Sequence, residues 1–510
     1  MLKHLLTSLA LAGLVFSSPA QAETPQDGGT LKVGIASTNV TNGLDPHVLQ
    51  GFYTEWVLGQ VGEGLLNYDI NLNLVPWLAK SWTISEDGLV YTFDLQEGVK
   101  FHNGREMTAE DVKFSIERIL DPNTGSRRRV ALEPVDHVEV IDNYTVALHL
   151  NAPFAPLLSN LAGVWAAIIP PESVNADGTI TQPIGTGPFT YVEWVKNDHL
   201  TVSKFADYWQ ADAPHVDEIV FLPVSDDAAR MTALRTGAVD IITSVPAQLL
   251  PSLLADTDRG FEIKAEQGNK WRIAIMNNAA APFDNVLVRQ AVDAALDREE
   301  IMLARTFGFG HVDNQTWDKN SFWRMDGPAP VRDLDRVKAL LTEAGYPDGL
   351  PITIESRSTY LDDAQMVQAQ LIEAGFDAKI EVSDWAALKE RMKAGEYHMV
   401  ISGAGWYADP DSRYGRFYVK SGPANYFAGG YENAEVEALI AQGRVESDAA
   451  ARKAIYQKVF DIIQAEVPHS MLYFAPKTLA WRSDVKDFRT DREGNLANAE
   501  GGLAFVWLNR

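Results

Sequence analysis

A short segment at residues 405–418, GWYADPDSRYGRFY, concentrates side chains that could bind a small charged molecule. The candidate ligand-binding side chains are two rings, two carboxylates and one guanidinium: Trp406, Tyr407, Asp409, Asp411 and Arg413. A carboxylate can hold an ammonium group, a guanidinium can hold a carboxylate, and aromatic rings can cover an apolar body. The segment therefore indicates recognition of a zwitterion such as a small peptide.

The elements that would position this segment are predicted by the hydrophobic pattern just before it. The pattern indicates a strand at Ile352–Ser356, a helix at Asp362–Ala374, a strand at Ala378–Val382, a helix at Trp385–Ala394 and a strand at His398–Ser402. Gly375 and Gly395 follow the two helices directly, as a helix stop requires. Such a β-α-β-α-β unit forms a parallel sheet, and ligands bind beyond the carboxyl ends of its strands.

Arg357 directly follows the first of these strands, and the segment 405–418 follows the third. We therefore expect Arg357 to face Asp409 and Asp411 across a common cleft, where it would bind the carboxylate of a solute. A structural interpretation of the same residues is also open. Asp409 would then cap a turn, Asp411 would pair with a neighbouring arginine, and the rings would be core, as we expect of Phe417 and Tyr418.

Period-two and helical patterns predict further elements along the chain. The predicted strands are Thr30–Ala36, Val90–Leu95, Val138–Ile141, Thr145–Leu150, Leu200–Ser203 and Glu218–Pro223. The predicted helices are 109–120, 226–236 and 286–306. Thr108 and Asp111 have the spacing of a capping box at the start of the first helix. Together the elements indicate an α/β protein.

The G-x-S-x-G elbow of serine hydrolases, the H-E-x-x-H motif of zinc proteases and the Walker A motif of nucleotide-binding proteins do not occur in the sequence. The ten histidines show no metal-ligand spacing, and we expect His102 and His469 to be structural. No cofactor, metal or catalytic residue is therefore predicted. Asp409 and Asp411 could still serve a glycosidase, and sequence alone leaves that alternative open.

Composition and the first residues indicate where the protein works. Lys3 precedes an apolar run from Leu5 to Phe16, and Ala20 and Ala22 offer a signal-peptidase site, so we expect residues 1–22 to be a cleaved signal peptide and the periplasm to be the destination. The 510-residue chain carries a net charge of −25 and has no cysteine. So acidic a surface disfavours nucleic acid and anionic lipid as partners.

Seven stretches, taken in order, resemble the extracytoplasmic solute-binding proteins of ABC importers, in the dipeptide, oligopeptide and nickel binding family (family 5). They are EGLLNY at 63–68, LVPWLAKSW at 74–82, YTFDLQEGVKFHNG at 91–104, MTAEDVKFSIER at 107–118, PIGTGPF at 183–189, MTALRTGAVD at 231–240 and PFDNVLVRQAVDAALDR at 282–298. The resemblance as a whole extends over nearly all of the chain that follows the expected signal peptide.

The resemblance implies the two-lobed periplasmic binding protein fold of type II, cluster C, with an extra subdomain in the first lobe. Lobe I would contain 23–66, 184–270 and 478–510, the subdomain 67–183, and lobe II 271–477. In peptide-binding members, the aspartate of a W-x-x-D element holds the ammonium group of the peptide, and an arginine after an earlier strand holds its carboxylate. Asp409 and Arg357 match these places, although the sequence leaves open whether Asp409, Asp411 or neither binds the ammonium.

The function that this resemblance implies is capture of a small peptide or peptide-like solute by closure of the lobes. The captured solute would pass to an ABC permease in the inner membrane, and we expect the binding protein to be a monomer. Arg413 and Arg416 could instead favour an acidic cargo such as an opine or a γ-glutamyl peptide. Oligosaccharides and metal chelates are further alternatives. Tyr68 and Trp77 are candidates for the first-lobe wall, but aromatics there are more often core.

Overall fold

A computed structural model of the chain describes residues 24–48, 51–126, 128–317, 321–405, 409–491 and 494–510. The strands are β1 Thr30–Ile35, β2 Leu66–Tyr68, β3 Leu74–Pro76, β4 Ala79–Ile84, β5 Val90–Leu95, β6 Val135–Asp142, β7 Thr145–Leu150, β8 Phe189–Val195, β9 His199–Lys204, β10 Glu218–Pro223, β11 Ile241–Ile242, β12 Phe261–Met276, β13 Leu350–Ser356, β14 Phe376–Val382, β15 Met399–Ala404, β16 His469–Arg482, β17 Val485–Lys486, β18 Ala497–Asn498, β19 Gly501–Gly502 and β20 Trp507–Leu508.

The helices alternate with these strands over much of the chain. They are α1 Phe52–Leu58, α2 Ala109–Leu120, α3 Leu157–Asn160, α4 Asp227–Thr236, α5 Leu250–Ala255, α6 Val286–Ala295, α7 Arg298–Thr306, α8 Leu334–Glu343, α9 Leu361–Glu373, α10 Trp385–Ala394, α11 Pro410–Phe417, α12 Ala434–Val445 and α13 Ala449–Glu466. None of the described helices is long and apolar enough to cross a membrane.

One ten-stranded sheet runs through the molecule in the order β14-β13-β15-β12-β16-β11-β1-β10-β9-β8. Its centre is the long antiparallel pair of β12 and β16, in which Phe261 lies opposite Arg482 at one end and Ile275 opposite His469 at the other. Three strands flank this pair on one side and five on the other. The flank with β11, β1, β10, β9 and β8 belongs to what we call the first half of the molecule, and the flank with β15, β13 and β14 belongs to the second half. Because both flanks are joined through β12 and β16, these two strands connect the two halves.

The unit from β13 to β15 is the parallel arrangement that the sequence predicts. β13 pairs in parallel with both β14 and β15, so that Ile354 has Ile380 on one side and Met399 on the other. Helix α10 ends at Ala394 as expected, and α9 ends at Glu373, one residue before the predicted end. Gly375 and Gly395 follow with φ of 98° and 71°. Left-handed backbone of this kind favours glycine, which explains both stops.

A second sheet of four antiparallel strands, in the order β4-β5-β7-β6, lies with α2 in the stretch inserted between β2 and β8. Val112, Ile116 and Ile119 of α2 are fully buried in the hydrophobic core of this stretch. The predicted capping box is present, because Thr108 and Asp111 exchange hydrogen bonds at the start of the helix. The predicted bounds of α2 are therefore confirmed.

The prediction of one helix over 286–306 is wrong, since α6 and α7 are separate. Leu296 is extended, with φ −93° and ψ 120°, which ends α6. Asp297 then starts α7, because its side chain accepts a 2.9 Å hydrogen bond from the backbone N–H of Glu300. The carboxylate of an aspartate at this position accepts hydrogen bonds from backbone N–H groups, which favours a helix N-cap over a place inside a helix.

Candidate ligand-binding site

A cavity of about 450 Å³ lies between the two halves of the molecule. Most of its wall comes from the first half, in the stretches 51–68, 159–165 and 495–505 and at Asp491. The second half contributes Gly405, which follows β15, and Ser412 and Arg416 of α11. Ligand pockets in proteins have volumes of about 300 to 1,000 Å³, so the cavity has room for a small solute.

One part of the cavity wall is the backbone at Gly64, which lies very close to the backbone at Leu161. Gly64 lines the cavity, and a Cβ placed on it would be 2.7 Å from the carbonyl oxygen of Leu161. No side chain fits at that distance, so the turn before β2 can approach the loop before Trp165 only because residue 64 is glycine.

An aromatic wall is organised by the carboxylate of Glu63. This carboxylate is buried and accepts four hydrogen bonds, from Trp77 Nε1 at 2.9 Å, Thr186 Oγ1 at 2.7 Å, Tyr208 OH at 2.8 Å and Trp209 Nε1 at 3.1 Å. Burial raises the pKa of Glu63, while the four donors oppose that rise. Trp77 and Tyr208 line the cavity, so the hydrogen bonds of Glu63 fix the orientation of two rings of its wall.

Tyr68 also lines the cavity. Burial raises its pKa, and the negative charge of Asp409 in the other half adds to that rise. The two candidates for the first wall, Tyr68 and Trp77, are therefore both pocket residues. Their motifs alone favoured core positions, because hydrophobic pattern does not say which buried face borders a cavity.

Arg128 places a guanidinium in the first wall. Its Cζ lies 5.1 Å from the ring centroid of Trp165, and its Nη2 lies 3.7 Å from Oε1 of Glu55. Burial raises the pKa of Glu55 and the charge of Arg128 lowers it again. All three residues line the cavity, so the ion pair contributes little net charge to the wall.

Asp409 begins α11 and is almost fully buried, at 5% exposed. Its Oδ1 accepts a 2.8 Å hydrogen bond from the backbone N–H of Asp411, which caps the helix. Both carboxylate oxygens also accept from Arg452 of α13, at 2.6 and 2.7 Å. Burial disfavours the charged guanidinium, but the bonds and charge of Asp409 raise the pKa of Arg452 above its ordinary value.

Asp411 and Arg413 are also engaged inside the second half. Asp411 accepts a 3.0 Å hydrogen bond from Nε of Arg444, and burial raises its pKa while Arg444 lowers it. Arg413 is 3% exposed and lies over the rings of Trp271 and Trp317 at 5.0 and 5.5 Å. The structural alternative from sequence paired Asp411 locally with Arg413 or Arg416. That pairing is wrong, because the partner of Asp411 is Arg444 of α12.

Arg357 follows β13 as predicted, with its guanidinium between two rings. Its Cζ is 4.6 Å from the centroid of Tyr360 and 4.8 Å from that of Trp385. No hydrogen bond or ion pair among the described residues joins it to Asp409. Trp406 and Tyr407 lie outside the described residues. Phe417 and Tyr418 are buried in the core, as predicted.

The described candidates from sequence, Arg357, Asp409, Asp411 and Arg413, are not among the residues that line the cavity. The lining residues that sequence reasoning missed include Arg128, Tyr208 and Ser412. Ser412 and Arg416 stand one helical turn apart in the segment 405–418, and the charge of Arg416 is the signal that the sequence offers for this wall. Within the described ranges, no group of three or more histidine, aspartate and glutamate side chains could hold a metal ion.

Comparisons with known proteins agree over most of the chain. The family model for bacterial extracellular solute-binding proteins, family 5 middle, matches residues 73–425. The glutathione-binding protein GsiB of Pectobacterium atrosepticum is 29% identical over 473 residues, which cover 90% of this chain and 91% of that protein.

Two solved structures extend the comparison to the fold. The periplasmic binding protein DppA of Helicobacter pylori in complex with the peptide STSA is 26% identical, with a TM-score of 0.79 over 95% of this chain and 99% of that one. The binding protein AgaA of A. tumefaciens R10 in complex with agropinic acid is 29% identical, with a TM-score of 0.80 over 94% and 99%.

Proposed function

Because the chain belongs to the bacterial extracellular solute-binding proteins of family 5, we propose that it captures a small peptide or peptide-like solute and delivers it to an ABC importer. The fold is the predicted α/β, two-lobed fold of this family. The observation that carries the proposal is the cavity of about 450 Å³, whose walls come from both halves of the chain.

The proposed lobes follow the division expected from sequence: 23–66, 184–270 and 478–510 in lobe I, 67–183 as its subdomain, and 271–477 as lobe II, after a signal peptide at 1–22. The strands β12 and β16 would be the hinge. One contact that supports closure is a 2.9 Å hydrogen bond between the proposed lobes, from the backbone N–H of Ala155 to the carbonyl oxygen of Arg444. A solute that contacts both walls would favour this closed arrangement.

The ligand contacts of Arg357, Trp406 and Tyr407 stay predictions. For Asp409 and Asp411 we propose a positioning role, because Arg452 and Arg444 occupy their carboxylates. The direct contacts expected of Arg413 likewise stay a prediction, and its place among Trp271 and Trp317 supports a role in the core. The periplasm, the inner-membrane permease, a monomeric state and the lack of catalysis complete the proposal.

A thermal-shift screen of the purified protein tests it. The panel contains di- and tripeptides with free termini, their N-acetylated forms, glutathione and maltotriose. A solute at about 100 times its Kd stabilises the folded protein by about 2.7 kcal/mol, so a binder raises the melting temperature measurably. Bound solute recovered unchanged by mass spectrometry supports transport without catalysis. Turnover of a panel member would contradict it.

A second candidate cargo is a non-peptide acid of the opine class, favoured by the likeness to AgaA in its complex with agropinic acid. Adding agropinic acid to the same panel separates the two classes. A shift with agropinic acid and with no peptide would replace the peptide proposal by this one.

A further inference from the structure

The carboxylates that line the cavity are already bonded to the protein. Glu63 receives its four hydrogen bonds from neutral donors, and Glu55 lies beside Arg128. Asp491 accepts from the backbone N–H and the side-chain Nδ2 of Asn495, at 2.9 and 2.6 Å. Glu63 and Asp491 therefore have little acceptor capacity left for the ammonium group of a solute, and the charge of Glu55 is compensated by Arg128.

Arg416 is different, because it lines the cavity with an exposed side chain. Its guanidinium makes no hydrogen bond or ion pair with any described residue. Ser412 stands four residues earlier on the same helix and also lines the cavity, and its hydroxyl is likewise without a described partner. Residues four apart on a helix lie on one face, so both donors are directed to the same part of the wall.

The two acids on the same segment as Arg416 are paired with other guanidiniums and are not among the residues that line the cavity. Asp409 and Asp411 lie on the same segment, but Arg452 and Arg444 bind them within lobe II. The second wall therefore presents a guanidinium and a hydroxyl where the sequence suggested a carboxylate. Closing the lobes over a guanidinium removes water from it, which is unfavourable unless an anion takes the place of that water.

We propose that the cargo is an anionic, peptide-like solute whose carboxylate binds Arg416 and Ser412 in the second wall. This inference rests on the proposed function and narrows its substrate class to acids. A guanidinium fork and a hydroxyl match the two oxygens of a carboxylate, which makes the site selective for an acid over its amide. The solute's body then lies against the rings of Tyr68 and Tyr208 in the first wall.

The test is isothermal titration calorimetry with matched acids and amides. The probes are glutathione, γ-glutamylglycine, Ala-Glu and agropinic acid, each beside the same molecule with its carboxylates converted to amides. The proteins are wild type, Arg416→Gln, Arg416→Lys and Lys420→Gln. Lys420 bonds to Glu432 and is not among the cavity-lining residues, so its variant controls for the loss of one positive charge.

We expect Arg416→Gln to weaken binding of an acid about 10- to 100-fold, because a charge-assisted contact is lost, and to leave its amide unaffected. Arg416→Lys keeps the charge but cannot donate two parallel hydrogen bonds, so its Kd for the acid should lie between those of wild type and Arg416→Gln. Lys420→Gln should bind the acid with the Kd of wild type. Equal binding of acid and amide by wild type, or an unchanged acid Kd in Arg416→Gln, overturns this inference alone. If no probe and no member of the screening panel binds wild type, the proposed function fails and the inference fails with it.

Discussion

The substitution Asp409→Asn separates a structural role of this residue from a ligand-binding role. Asparagine keeps the shape and the acceptor oxygen that caps α11, so the change removes mainly the charge. That charge is the partner of Arg452, which is 3% exposed and donates one hydrogen bond to each carboxylate oxygen of Asp409. Breaking a buried ion pair from one side costs about 3 to 5 kcal/mol, because the remaining charge is left without compensation.

We expect this loss to lower the melting temperature of the ligand-free protein by on the order of 10 °C. In domains of about 150 to 250 residues, each kcal/mol of lost unfolding free energy lowers the melting temperature by about 2 to 4 °C. Circular dichroism during heating measures it, and urea unfolding gives an independent value. The melt must be recorded on protein freed of any co-purified solute, because bound solute would mask the change.

Asp411→Asn is the matched control, on the same turn of the chain. Its partner Arg444 has a side chain that is 41% exposed, so water can replace the carboxylate. Burial already disfavours the charge of Asp411 by raising its pKa. We therefore expect a loss of no more than about 1 kcal/mol. An Asp409→Asn protein that melts like wild type but no longer binds peptides would refute the reasoning and make Asp409 the ammonium anchor.

Two further predictions concern buried groups of the first half. Glu63→Gln should lower the free energy of unfolding by about 2 kcal/mol and weaken solute binding, because an amide cannot accept from all four donors; melting and calorimetry measure the two effects. Burial lowers the pKa of His47 and His102 to about 4 each, so the unfolded chain takes up these protons first and stability falls as pH drops from about 6.5 to 4. His102→Gln should reduce the difference between melts at pH 7 and pH 5, and an unchanged difference would contradict the assignment.

Local pattern was sufficient for the parallel unit of lobe II. The strands β13 to β15 alternate with helices whose ends are marked by glycine, and both signals come from residues adjacent in sequence. The same method joined α6 and α7 into one helix, because the apolar spacing continues through Leu296 and only the cap at Asp297 separates them. Caps act on single residues, and a periodic pattern averages over them.

The site was less predictable, because the partners of its charged residues come from distant parts of the chain. Asp409 meets Arg452 across 43 residues, and Asp411 meets Arg444 across 33. Arg444 stands on α12 and Arg452 on α13, and a family motif around residues 405–418 includes neither helix. The spacing of a motif can place a carboxylate at a strand end, but it does not show whether a guanidinium already occupies it.

The two arginines of α11 therefore have different surroundings, because their side chains leave the helix in different directions. Arg413 is buried in the core, where the faces of Trp271 and Trp317 stabilise its charge. Arg416, three residues later, lines the cavity between the lobes. A protein with a net charge of −25 repels an anion at long range, so retention of an acid depends on a short-range contact that water no longer screens once the lobes close. Arg416 supplies that contact, and its selectivity for a carboxylate follows from its geometry.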